Sequence, residues 1–123
     1  MNETALEGRW SFDADISARY TMERSRASEE VFRLLRQVLS NITMEYEFAA
    51  GEWITRMPGV PDDRVSYRAV GAGIDWVKIE ITSGERKGKK PTFFFYNGAL
   101  ALREEAEASG AALLLRRNDQ ERA

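Results

Sequence analysis

The chain contains neither cysteine nor histidine, and it has only 3 prolines in 123 residues. The first absence excludes disulfides, thiolate metal sites and cysteine nucleophiles. The second removes the commonest metal ligand and the side chain best suited to exchanging protons near neutral pH. Catalysis would have to run on Asp, Glu, Tyr, Lys, Arg, Ser or Thr, so the chain reads as a non-enzyme that uses no metal and no cofactor. Long apolar runs are missing too, and none approaches the roughly 20 residues needed to span a bilayer. The first nine residues carry Glu3 and Glu7 and have no signal-peptide core. A cytoplasmic location with no membrane partner is the expectation. A strong charge of either sign is also absent: 18 basic against 20 acidic residues leave a net charge of −2, so no global field points to nucleic acid.

What is present is mostly strand patterning. The length suits one domain over residues 1–123. Residues 6–12 read as a first strand with Trp10 and Phe12 on one face. The stretch to Arg26 is weakly patterned, either a loop or one helical turn. Val31, Phe32, Leu34, Leu35, Val38 and Leu39 then recur at helical spacing, with Ser28 as N-cap and Glu29 and Glu30 at the positive end of the dipole. That predicts one amphipathic helix over 28–40.

From Ile42 the period switches to two, with Ile42, Met44, Tyr46 and Phe48 alternating with polar residues. Turns at 49–51 and 71–73 separate strands at 52–57, 65–69 and 74–82, and residues 58–63, with Pro58 and Pro61, read as a loop. A charged, flexible hairpin tip at 83–90 precedes a strand at 92–96. Asn97-Gly98 is the strongest hairpin signal in the chain, followed by a strand at 99–103. A helical turn at 104–109 stopped by Gly110, and a last strand over 111–117, complete the pattern. The sum is a mainly β chain of eight antiparallel meander strands, in a closed barrel or a strongly curved sheet, with the helix between strands 1 and 2. Closure is the cleanest way to remove sheet edges.

Gly8-Arg9-Trp10 at the start of the first strand resembles the Gly-x-Trp of lipocalin-like (calycin-type) β-barrels. The resemblance implies a late-strand arginine stacked on Trp10 to close the barrel base, with Arg116 or Arg103 as candidates, worth about 1 kcal/mol. It departs from true lipocalins in one respect. Their main helix follows the last strand, whereas here it falls between the first two, as in some bacterial lipocalin-like domains. A helix-grip sheet is the alternative fold, but nothing after Gly110 could supply its long C-terminal helix.

Three groups could carry function. Tyr46, Phe48, Trp53, Tyr67, Trp76, Phe93 and Phe95 could line a pocket for an apolar ligand, with Arg68 fixing a polar end; equally, they could simply fill an eight-strand interior. Ala69, Ala99 and Ala101 offer room opposite them. The basic stretch Arg86-Lys87-Gly88-Lys89-Lys90 beside Phe93 to Tyr96 could grip single strands, but the acidic balance favours a solvated hairpin tip and no nucleic-acid partner. Phe93-Phe94-Phe95, Leu113-Leu114-Leu115 and Trp76 put apolar side chains on both strand faces. The helix at 28–40, or a second copy of the chain, must therefore cover an outer face. Asp13 with Asp15, and Asp62 with Asp63, are unpromising carboxylate pairs, since the first two sit where a strand frays and the second two in a turn. The expected function is non-catalytic binding of a small apolar or amphipathic ligand in the barrel interior. The alternative is a protein-interaction module, an inhibitor or accessory subunit or a homodimer, with a packed core and no ligand.

Overall fold

The computed structural model describes residues 5–25, 28–104, 107 and 113–118. Eight antiparallel strands close into a barrel in simple chain order. They are β1 (Gly8–Phe12), β2 (Glu45–Ala49), β3 (Glu52–Met57), β4 (Val60–Ala72), β5 (Trp76–Ile81), β6 (Thr92–Tyr96), β7 (Ala99–Leu102) and β8 (Leu115–Arg117). Between β1 and β2 lie two helices, α1 (Ala14–Ser25) and α2 (Glu29–Leu39). The seam joins first strand to last, pairing Trp10 with Arg117 and Phe12 with Leu115. Closure removes most of the template for edge-to-edge association.

Period-two alternation explains the interior. Trp10, Tyr46, Phe48, Trp53, Val65, Tyr67, Val77, Ile79, Ile81, Phe93, Leu100 and Leu115 point inward and form the main core. The outer face divides into two kinds of surface. Over β1 to β5 it is polar and laced with cross-strand ion pairs: Arg56 to Glu47 at 2.8 Å, Arg64 to Glu52 at 2.8 Å and Arg68 to Glu80 at 2.6 Å. Over β6 to β8 it is apolar, and α1 covers it. Ile16 and Tyr20 pack on Ala99, Ala101 and Leu114, with Phe94 and Tyr96 alongside. This arrangement accounts for the unbroken Phe and Leu triplets, whose strands are buried on both faces.

The segment read as a loop or single turn is thus the covering helix. Asp13 caps it, accepting from the Ile16 N–H at 3.0 Å. Ser17 clips it to the sheet by accepting from the buried Leu114 N–H at 2.9 Å. The helix at 28–40 forms as expected, with the Ser28 hydroxyl accepting from the Val31 N–H, yet it covers no sheet face. It packs on α1, with Phe32, Leu35 and Leu39 half-buried and none of its residues fully buried.

Two turns have positive φ at both central positions: Ala50 (53°) with Gly51 (77°), and Asn97 (49°) with Gly98 (81°). That is the type I′ geometry matched to strand twist. The expected loop at 58–63 is instead mostly strand, because β4 starts at Val60, paired with Met57. Its first residues pair with β3 alone, since β5 joins only from Tyr67 onward. Pro61 is therefore tolerated on this overhang, where no ladder bond on the far side is lost. Arg103, Glu104 and Glu107 are helical; the remainder of the turn expected to Gly110, and positions 111–112 of the expected last strand, lie outside the described residues.

Candidate ligand site at the barrel mouth

Trp10 closes one end of the barrel. Its ring is 1% exposed, its Nε1 donates to the Leu6 carbonyl at 2.8 Å, and Phe95 packs 6.0 Å from it. The arginine on this ring is Arg117, with its guanidinium 4.3 Å from the ring centroid. It also donates to the carbonyls of Glu7 at 2.5 Å and Ala5 at 2.8 Å. The sequence-based candidates fall elsewhere. Arg116 lies opposite Ser11 on the outer face and pairs with Asp13 at 2.9 Å. Arg103 stands 5.8 Å from the Trp76 ring. The register decides the matter, since only the residue paired with Trp10 shares its face.

The expected interior pocket is filled by rings. Phe48 and Trp53 stack at 5.8 Å and 12°. Phe93 meets Trp53 edge-on at 5.1 Å and Phe48 at 5.4 Å. Tyr46 stands 5.3 Å from Trp53, and Tyr67 lies 5.8 Å from Phe48. Three expected pocket residues lie outside this set, and one of them, Phe95, sits against Trp10 at the base. Arg68 points outward, its side chain 70% exposed and paired with Glu80. Trp76 lies on the outer face over Gly73, where a Cβ would fall 2.0 Å from its Nε1. Ala99 and Ala101, expected to leave room inside, face α1 instead and let it approach closely.

The opening lies toward the other end. A cleft of about 350 Å³ is lined by Trp53, Ile81, Pro91 and Leu102, with Arg86, Lys89, Lys90 and Glu104 around them. Trp53 thus caps the ring stack and lines the cleft above it. Its Nε1 is the one buried side-chain polar atom without a hydrogen-bond partner among the described residues. Such an orphaned donor costs about 1–3 kcal/mol and marks a place where an acceptor would be welcome. Arg86 reaches over the indole at 5.3 Å while donating to Asp63 at 2.7 Å. Glu104 is already engaged, since both its oxygens accept from the Thr92 N–H, at 2.9 and 3.2 Å.

The hairpin tip that supplies the cations is held by backbone bonds from Gly88 N–H to the Ile81 carbonyl and from Ile81 N–H to the Lys89 carbonyl. The sequence singled out this basic stretch but not its position above Trp53, which depends on barrel stagger. Two further grooves, one between α1 and α2 and one between α1 and β6, are lined by mixed charged side chains such as Arg19 with Glu23 and Arg24 with Asp75. The four aspartates considered earlier are all engaged by arginines: Asp13 with Arg116, Asp15 with Arg19 and Arg36, Asp62 with Arg56, and Asp63 with Arg86. Among the described residues no group of three or more carboxylates is placed to hold a metal, and no helix is long and apolar enough to cross a membrane.

These features define an eight-stranded antiparallel closed barrel, consistent with a calycin-like architecture, with helices inserted after the first strand. No protein-family model, curated protein or solved structure matches this chain.

Proposed function

We propose that this protein is a lipocalin-like, non-catalytic binding domain for a small apolar or amphipathic molecule, held in the cleft over Trp53. The observation that carries this reading is the apolar-floored cleft of about 350 Å³ lined by Trp53, Ile81, Pro91 and Leu102, beside which the Trp53 Nε1 is buried without a partner. Buried donors are nearly always satisfied, and ligand sites combine apolar walls with a few placed polar groups. The Gly8-Arg9-Trp10 motif, with the Arg117 guanidinium on the Trp10 ring, supports the lipocalin-like part. The ring contacts among Phe48, Trp53, Phe93 and Tyr46 in the interior favour the mouth over the barrel centre. Titration with the uncharged probe 1-naphthalenemethanol, followed through the indole N–H signals, tests the reading. A saturable shift of the Trp53 signal is expected, and unchanged Trp53 and cleft signals at the probe's solubility limit would contradict it.

A second reading is favoured by α2. Val31, Leu34 and Val38 form a stripe at i, i+3 and i+7 and are 48%, 58% and 65% exposed. A stripe at that spacing is the seam of a helix that packs against another surface. Under this reading the chain is a protein-interaction module or homodimer working through α2. Sedimentation equilibrium tests the homodimer: concentration-dependent association abolished by Leu34→Ser supports it, and a monomer throughout removes it.

A further inference from the structure

We infer that the mouth cleft selects a compact monoanion with an apolar body, such as an aryl or branched short-chain carboxylate, and excludes long acyl chains. This rests on the reading of the cleft as a ligand site and adds the chemistry of its occupant.

Charge gives the sign of the ligand. Arg86, Lys89 and Lys90 stand around the cleft with the carboxylate Glu104, and Asp63 pairs with Arg86 at its edge. Three cations against these two carboxylates leave the local balance positive. Donor chemistry agrees with it. The Trp53 Nε1 is buried beside the cleft without an acceptor, and as an indole N–H it can only donate. The guanidinium 5.3 Å from the same ring spends one nitrogen on Asp63 and keeps further N–H donors. An oxyanion answers the cations and gives the remaining Arg86 N–H groups an acceptor. An ammonium group does neither.

Packing gives the size. Below Trp53 the barrel is filled by Phe48, Phe93 and Tyr46 in ring contact, so an acyl tail cannot thread inward without displacing them. The ligand must lie across the mouth, on Ile81, Pro91 and Leu102. The available volume, about 350 Å³, is at the low end for small-molecule sites.

The test is a binding series on the full chain, read by calorimetry and by the Trp53 indole N–H signal. The probes are 1-naphthoate, 1-naphthalenemethanol, 1-naphthylmethylammonium and palmitate. Naphthoate is expected to bind about tenfold or more tighter than the alcohol, as a charge-assisted hydrogen bond should give. That advantage should shrink at high salt. The ammonium should be weakest, and palmitate should not exceed naphthoate. The double variant Lys89→Gln, Lys90→Gln alters two exposed side chains; it should erase most of the advantage of naphthoate over the alcohol.

Equal binding of naphthoate and alcohol overturns the anion selectivity while leaving the ligand site standing. Tighter palmitate overturns the size limit. No binding of any probe overturns both this inference and the reading beneath it.

Discussion

Replacing Arg117 by methionine removes the guanidinium from the base of the barrel and keeps most of the apolar stem. Three interactions go with it. The cation over the Trp10 ring, at 4.3 Å on a residue 1% exposed, is worth about 1–2 kcal/mol when largely desolvated. The charged hydrogen bonds to the carbonyls of Glu7 and Ala5 would each be worth about 1.5–3 kcal/mol at most. Both carbonyls can turn toward water, however, so only part of that is lost. The net cost is about 2–4 kcal/mol. At roughly 3–6 °C per kcal/mol for a chain of this size, Tm should fall by about 6–24 °C. Urea unfolding followed by tryptophan fluorescence, together with calorimetry, measures it. Arg117→Lys keeps the charge without the fork and should recover part of the loss. Arg116→Met, which removes a side chain 64% exposed, should cost less than about 1 kcal/mol. If Arg117→Met lies within about 0.5 kcal/mol of the parent, or Arg116→Met costs more than it does, the closure argument is wrong.

Other perturbations probe separate parts of the fold. Ser17→Ala leaves the buried Leu114 N–H without its acceptor and should cost about 1–3 kcal/mol in chemical denaturation. Ala50 sits at φ 53° in a type I′ turn, so Ala50→Asn should stabilise by up to about 1 kcal/mol, seen as a raised Tm. The Tyr96 hydroxyl donates to a Glu23 carboxylate oxygen. That bond, with burial second, holds the phenol above its usual value of 10.0. A raised folded value means that the contribution to stability is full below about pH 10 and is lost as pH rises through the folded value. Ultraviolet titration should show Tyr96 titrating late, and Glu23→Gln should bring it back toward normal.

Much of the barrel is legible in the chain because alternation is a direct physical signal. Residues 42–48 and 76–81 could bury Tyr46, Phe48, Val77 and Ile79 in only one register. Gly8-Arg9-Trp10 likewise marks the base. The covering role of α1 is hidden in the sequence for an equally physical reason. α2 has a wide apolar stripe and buries nothing fully, whereas α1 covers the sheet with Ile16, Ser17, Ala18 and Tyr20. Small and hydroxyl side chains suit close approach to Ala99 and Ala101, and they give little amphipathic signal. The base arginine is Arg117 rather than Arg116 or Arg103, because neighbouring strand residues face opposite ways and the pairing of Trp10 with Arg117 shows which faces in. Arg68 and Trp76 were placed inside by residue type, whereas strand parity puts them outside. The mouth cleft draws Trp53, Ile81, Lys89 and Leu102 from four separate segments, and no local pattern brings them together.

The account stands on a ligand lying over Trp53 at the barrel mouth while the ring core stays closed. A crystal structure of the protein with 1-naphthalenemethanol tests this most directly. The expected result is probe density against Trp53, Pro91 and Leu102, with Phe48 still stacked on Trp53 at 5.8 Å. Density in an opened barrel centre, or at α2 with the cleft empty, would contradict it.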